Sequence, residues 1–138
     1  MEEFVIHLKN DVRELEKLTG ELQKVAEEWN INTGIAMKLE LILEEVFTNI
    51  VFHAFEDNAG HSIDVFLKRS GDVLRIRIED DGKAFDLTRI PPADSLDKDI
   101  KERPVGGLGI HFIKEFSDHL TYERKNNKNI LKITKGIR

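Results

Sequence analysis

Residues His61–Asp80, HSIDVFLKRSGDVLRIRIED, decide the fold. Two runs of alternating apolar and polar residues, His61–Arg69 and Val73–Asp80, flank the turn-forming group Ser70, Gly71 and Asp72, so the stretch reads as a β-hairpin. In the second run Leu74, Ile76 and Ile78 share a face with Asp80, while Arg75, Arg77 and Glu79 take the other. One face of the hairpin therefore calls for a core, and it carries a carboxylate at its end.

Upstream, a helical pattern begins after Asn30–Asn32 and reaches about Phe55, with Thr33 expected as its cap and Asp57, Asn58 and Gly60 marking its end. Before it, Val12, Leu15, Leu18, Leu22, Val25 and Trp29 recur three and four apart, the apolar stripe of a first helix that Asn10 or Asp11 can cap. The chain opens with Phe4, Ile6 and Leu8 alternating with Val5, His7 and Lys9, which suits a short strand. Downstream, Asp81–Gly107 loses all periodicity and collects Gly, Pro, Asp and Lys. Loops that long inside a compact domain are usually functional or disordered. A helical pattern resumes through Leu108, Phe112 and Phe116, followed by strands near Leu120–Arg124 and Ile130–Thr134 joined by Asn126, Asn127 and Lys128. The order β, α, α, β, β, long loop, α, β, β predicts an α+β two-layer sandwich, a mostly antiparallel sheet with helices on one face.

The chain has 138 residues and neither repeats nor low-complexity tracts, which fits one domain over residues 1–138. Such a length buries about two-thirds of the unfolded chain's surface, enough for a core without staples. Cysteine is absent, which excludes disulfides, thiolate zinc sites and thiol nucleophiles and suits a reducing cytoplasm. The 21 Lys and Arg against 26 Asp and Glu give a net charge of −5 with no dense basic block, so direct nucleic-acid binding is not expected. No apolar run reaches the roughly 20 residues that cross a bilayer, and MEEFVIHLKN lacks the basic-then-apolar order of a secretory signal. No membrane association is expected.

Three local patterns carry chemistry. On the second helix, Leu43, Val46, Phe47, Ile50, Val51 and Ala54 collect on one apolar side, while Glu45 and Asn49, four apart, share a ridge that His53 continues. A carboxylate and a carboxamide one turn apart offer a base and a neutral oxygen ligand on a rigid element, although a solvated helix face has the same look. Second, Asp80 points toward the apolar side, where an ionised carboxylate needs donated hydrogen bonds; a ligand amino group is one source. Gly82 would let backbone approach closely and Phe85 would supply an apolar wall, but a plain strand-ending Asp-Gly turn reads similarly. Third, Gly106-Gly107-Leu108-Gly109 opens the third helix, where free N–H groups attract anions; a hinge with close packing is the alternative. Neither the P-loop nor the dinucleotide fingerprint is present.

Taken in order, Glu45-x-x-x-Asn49-x-x-x-His53, Asp80-x-Gly82-x-x-Phe85 and Gly107-Leu108-Gly109 resemble the nucleotide-binding boxes of GHKL-type ATPases. Over nearly the whole chain, ending in GGLGIHFIKEFSDHLTYERKNNKNILKITK, the sequence resembles the stand-alone anti-sigma factor serine/threonine kinases. The resemblance implies an ATP site between helices and sheet, with Glu45 as general base, Asn49 as Mg2+ ligand and Asp80 binding adenine. It further implies that Gly82 supports the adenine pocket and that Gly107 and Gly109, with Leu108 between them, line the phosphates beneath a lid at residues 86–106. His53 and Phe85 belong to the same cofactor-binding set, and Lys101 and Arg103 are candidate γ-phosphate cations. The implied activity is phosphorylation of an anti-sigma-factor antagonist by a cytoplasmic regulator that also meets a sigma factor and forms a homodimer, through the first strand's edge for example. The lack of a preceding sensor, membrane or phosphoacceptor segment argues against a complete histidine kinase. A non-catalytic module, whose ATP occupancy orders the lid and selects partners, would use the same three boxes.

Overall fold

The computed structural model describes residues 2–55, 60–89 and 107–137. Five strands, β1 (Glu2–Lys9), β2 (Ser62–Ser70), β3 (Val73–Asp80), β4 (His119–Lys125) and β5 (Lys128–Gly136), form one sheet in the order β1-β2-β3-β5-β4. Every ladder is antiparallel. The helices are α1 (Leu15–Glu28), α2 (Thr33–His53) and α3 (Gly107–Phe116), and α2 packs against both of the others. The α+β arrangement expected from the element order is the one observed.

Turn chemistry sets the two hairpins. Gly71 stands at φ 61° between β2 and β3, a left-handed conformation that glycine adopts without a Cβ penalty. Asn126 and Asn127 take φ 54° and 61° between β4 and β5, the pair of positive angles that a two-residue hairpin turn demands and asparagine tolerates.

Alternation then places Ile63, Val65 and Leu67 of β2, Leu74, Ile76 and Ile78 of β3 and Leu131 and Ile133 of β5 in the core. They join Leu18, Leu22 and Val25 of α1 and Leu43, Val46, Phe47 and Ile50 of α2. Fully burying each such side chain contributes about 1.5–3 kcal/mol relative to exposure, so a one-residue slip of β3 would expose three of them and turn Asp80 outward. Burial of the apolar face thus fixes the direction of Asp80.

Three local expectations are corrected. Asn32, not Thr33, caps α2: its Oδ1 accepts from the N–H groups of Gly34 at 2.8 Å and Ile35 at 3.3 Å. Asp11 caps a single 3-10 turn at Val12–Glu14 that precedes α1, and the three-residue turn rotates Val12 off the apolar stripe, leaving it 40% exposed. On α3, Ile113 and Phe116, three apart, are buried while Phe112 is exposed; the side chain of Leu108 lies outside the described ones. Among the described residues, no helix is long and apolar enough to cross a membrane.

Candidate functional site

Helix α2 carries the first group. Its apolar side is buried as the wheel predicts, and Asn49 lies wholly buried at the border of that side. The Asn49 Nδ2 donates to the Glu45 backbone carbonyl at 2.7 Å and to Glu45 Oε1 at 3.3 Å. Both partners are acceptors, so the amide orientation is chemically determined and Oδ1 must point away from them. That oxygen is buried and has no hydrogen-bond partner among the described residues. An unpaired buried acceptor costs about 1–3 kcal/mol, so Asn49 is held in a state that a ligand would relieve.

Two adjacent glutamates on this helix behave differently. Glu44 Oε1 accepts from Thr19 Oγ1 of α1 at 2.8 Å, and the Glu44 carbonyl accepts from Thr48 Oγ1 at 2.7 Å, which ties this residue into helix packing. Glu45 is half-buried, and among the described residues its carboxylate has only the long contact from Asn49. One turn beyond Asn49, the half-buried His53 has its Nε2 without a partner among the described residues, and its ring lies 5.8 Å from that of Phe85.

Asp80, at the end of β3, is 4% exposed. Its Oδ1 accepts from the Gly82 N–H at 2.9 Å and from Asn129 Nδ2, also at 2.9 Å. Burial pushes the Asp80 carboxyl above its ordinary value; the hydrogen bonds from Asn129 and Gly82 and the charge of Arg124 pull it down, and Asp81 adds to the rise. Among the described residues, both of these hydrogen bonds fall on Oδ1.

Gly82 is required by contact. A Cβ there would stand 2.4 Å from the Ala54 carbonyl oxygen at the end of α2. The same oxygen accepts from the Lys83 N–H at 2.7 Å, and Arg124 Nη1 donates to the Gly82 carbonyl at 2.6 Å. The turn after β3 is therefore pinned to the C-terminal end of α2, one turn beyond Asn49. Beside it His61 stacks on Phe55 at 4.5 Å and bonds Asp81 Oδ1 at 3.1 Å.

The geometry joins two sets: Glu45 and Asn49 contact each other on α2, while His53 and Ala54 at the end of that helix meet Phe85 and Gly82 of the segment that follows β3, where Gly82 also bonds Asp80. Gly107, Leu108 and Gly109 form the first residues of α3, which packs on α2. Lys101, Arg103 and most of the expected lid, residues 90–106, lie outside the described residues. Sequence reasoning missed Asn129. It sits directly across from Asp80 in the β3–β5 register, on the inward parity of Leu131 and Ile133, and that parity was the available signal.

Comparison with known proteins agrees with this architecture. The chain belongs to the histidine kinase-like ATPase domain family, whose model matches residues 8–135. It is 32% identical over 99 residues to the serine/threonine-protein kinase BtrW of Bordetella bronchiseptica, covering 70% of this chain and 67% of that one. It is 28% identical over 103 residues to the serine-protein kinase RsbW of Bacillus cereus, covering 72% of this chain and 62% of the relative. This chain thus spans about two thirds of the length of the curated relatives it matches. Among solved structures, the RsbU and RsbW domains of a Mycobacterium tuberculosis protein superpose with a TM-score of 0.70 at 13% identity, over 99% of this chain and 33% of that one. At that identity the likeness is one of fold.

Proposed function

We propose that this chain is an ATP- and magnesium-dependent protein serine/threonine kinase that acts as an anti-sigma regulatory factor and phosphorylates an anti-sigma-factor antagonist. Family membership and the names of its relatives support the general kind. The observation that carries the reading is the unpartnered Asn49 Oδ1 one turn from the Glu45 carboxylate, on the helix whose end abuts the Asp80-Gly82 turn.

In this reading the whole chain, residues 1–138, is one ATP-binding domain. Asp80 accepts the adenine amino group, Gly82 and Phe85 form the floor and wall of the base pocket, and His53 packs beside Phe85. A hard cation prefers neutral and anionic oxygens, and the free Asn49 carbonyl oxygen fits Mg2+, which when bound neutralises phosphate charge. Gly107, Leu108 and Gly109 present the first N–H groups of α3 to the phosphates. Lys101 and Arg103 are the candidate cations for the γ-phosphate.

Glu45 accepts the proton of the acceptor serine hydroxyl. The hydroxyl oxygen bonds to the γ-phosphorus while the bond to the β,γ-bridging oxygen breaks, and ADP departs with that electron pair. The acceptor is the antagonist, and a sigma factor is the second partner. The protein works in the cytoplasm as a homodimer, for which the unpaired edge of β1 is one available surface.

Glu45→Ala tests the reading. ATP affinity by calorimetry should be retained, while labelled-phosphate transfer to the antagonist falls by about 10²–10⁴-fold. Undiminished transfer removes Glu45 as base; no transfer by the unaltered protein, with ATP still bound, leaves the non-catalytic module.

A further inference from the structure

The carboxamide of Asn129 has every hydrogen-bonding position filled by protein. Nδ2 donates to Asp80 Oδ1 at 2.9 Å and to the Lys83 carbonyl at 2.8 Å. Oδ1 accepts from the Phe85 N–H at 3.1 Å and from the Tyr122 hydroxyl. A primary amide offers two donors and two acceptor lone pairs, so nothing of Asn129 is left for a ligand. It joins β3, the segment after it and β4 through one buried group that is 4% exposed.

From these contacts we infer that Asn129 is the positioning residue for nucleobase selection: it fixes which oxygen of Asp80 faces the base and holds Phe85 at the matching distance. This inference rests on the ATP reading above and deepens it. Asn129 and the Gly82 N–H both take Oδ1, so in this inference Oδ2 is the acceptor for a ligand. A carboxylate oxygen held there attracts an exocyclic amino group and repels a carbonyl oxygen. The site should therefore prefer a 6-aminopurine over a 6-oxopurine. The clamp on Lys83 and Phe85 holds the apolar wall in register with that oxygen, so base plane and base edge are set by the same residue. Loss of the clamp lets the carboxylate rotate and the preference decay.

The test compares ATP with inosine triphosphate, which share the ribose and triphosphate but differ at position 6. With Mg2+ present and binding read by calorimetry, the unaltered chain should prefer ATP by about tenfold or more, the value of a hydrogen bond to a charged group. In Asn129→Ala the ATP preference should fall by about tenfold, with ATP losing more affinity than inosine triphosphate, which shares only the loosened Phe85 wall. Asn129→Ser, which leaves room for a bridging water in a polar cavity, is the second variant should the alanine form not fold, and its preference should fall in the same direction. Near-equal losses for both nucleotides would mean a merely structural role and overturn the inference. So would a folded variant that keeps the original ratio, and in that case the ATP reading survives. Failure of the unaltered chain to bind either nucleotide overturns the ATP reading itself, and this inference with it.

Discussion

Asn49 on α2 and Asn129 on β5 are the same functional group, both buried, in opposite conditions. Asn129 uses all its donors and acceptors on protein; Asn49 satisfies its NH2 locally and leaves its oxygen alone among the described residues. The difference divides the region into two kinds of surface. At the sheet end, polar groups are bonded to one another and the geometry is set before any ligand arrives. Along the helix ridge, Asn49 Oδ1 and His53 Nε2 remain unsatisfied among the described residues, at a cost of about 1–3 kcal/mol for each such group. Under the proposed function the sheet end, with His53 beside Phe85, would hold the base, and the Asn49 end of the ridge would meet phosphate and metal, so that binding energy completes the second half.

The largest expected effect on ATP affinity lies at the junction of the two halves. Asp80→Asn keeps an oxygen for Gly82 and Asn129 but turns an NH2 toward the ligand, so ATP affinity should fall by about 10- to 100-fold, the worth of a hydrogen bond to a charged group. The same change should stabilise the ligand-free protein. The sign follows from linkage: burial raises the Asp80 carboxyl in the folded state above the unfolded value near 3.9, so the unfolded chain ionises first as pH rises. Ionisation then costs folded stability, fully so above the raised value and not at all below the unfolded one. Thermal melts should show Asp80→Asn ahead of the parent at neutral pH, with the gap closing as pH falls toward that of an ordinary carboxylate. A gap that does not depend on pH would break the assignment.

How much of this was legible in the sequence follows the same division. Strict alternation in Val73–Asp80 showed Asp80 facing inward, and 3.6-residue spacing put Glu45 and Asn49 on one ridge, because both signals are local and periodic. Asn129 was not legible. It lies next to two turn asparagines and one residue outside the strand expected at Ile130–Thr134, and its importance arises from cross-strand pairing with a residue 49 positions away. The cap of α2 failed for a smaller reason: Asn32 and Thr33 are both good capping residues, and backbone angles, not composition, choose between them. Phe112 failed because i, i+4 spacing marks a stripe without saying which edge of it the neighbouring helix covers.

Gly82→Ala sharpens the comparison at the point where the two halves touch. The added Cβ would lie 2.4 Å from the Ala54 carbonyl oxygen, which is backbone and already accepts from Lys83. Relief requires the turn after β3 to move off the end of α2, at about 1–3 kcal/mol, the usual range for overpacking. Denaturant melts should show that loss, and ATP affinity should fall with it because Phe85 and Asp80 move together. A variant as stable as its parent would mean that the turn is not seated against α2.

The smallest expected effect on stability, and the most informative about the unsatisfied half, belongs to Asn49→Leu. The substitution removes a buried oxygen that has no partner among the described residues, a gain of about 1–3 kcal/mol, and deletes a bond to the Glu45 carbonyl, a loss of about 0.5–1.5 kcal/mol; it keeps the branched shape, but two methyl groups are bulkier than the amide oxygen and nitrogen. The gain and the loss oppose each other and leave a net of roughly −0.5 to +2.5 kcal/mol, which the added bulk reduces, whereas the same replacement at Asn129 strands the Asp80, Lys83, Phe85 and Tyr122 groups and should be strongly destabilising. Magnesium dependence gives the functional half of the contrast. Asn49→Leu should lose the gain in ATP affinity that Mg2+ confers on the parent, measured as the ratio of affinities with the cation and with a chelator. If Asn49→Leu unfolds as readily as Asn129→Leu, the lone oxygen has a structural partner and the division drawn between helix ridge and sheet end does not hold.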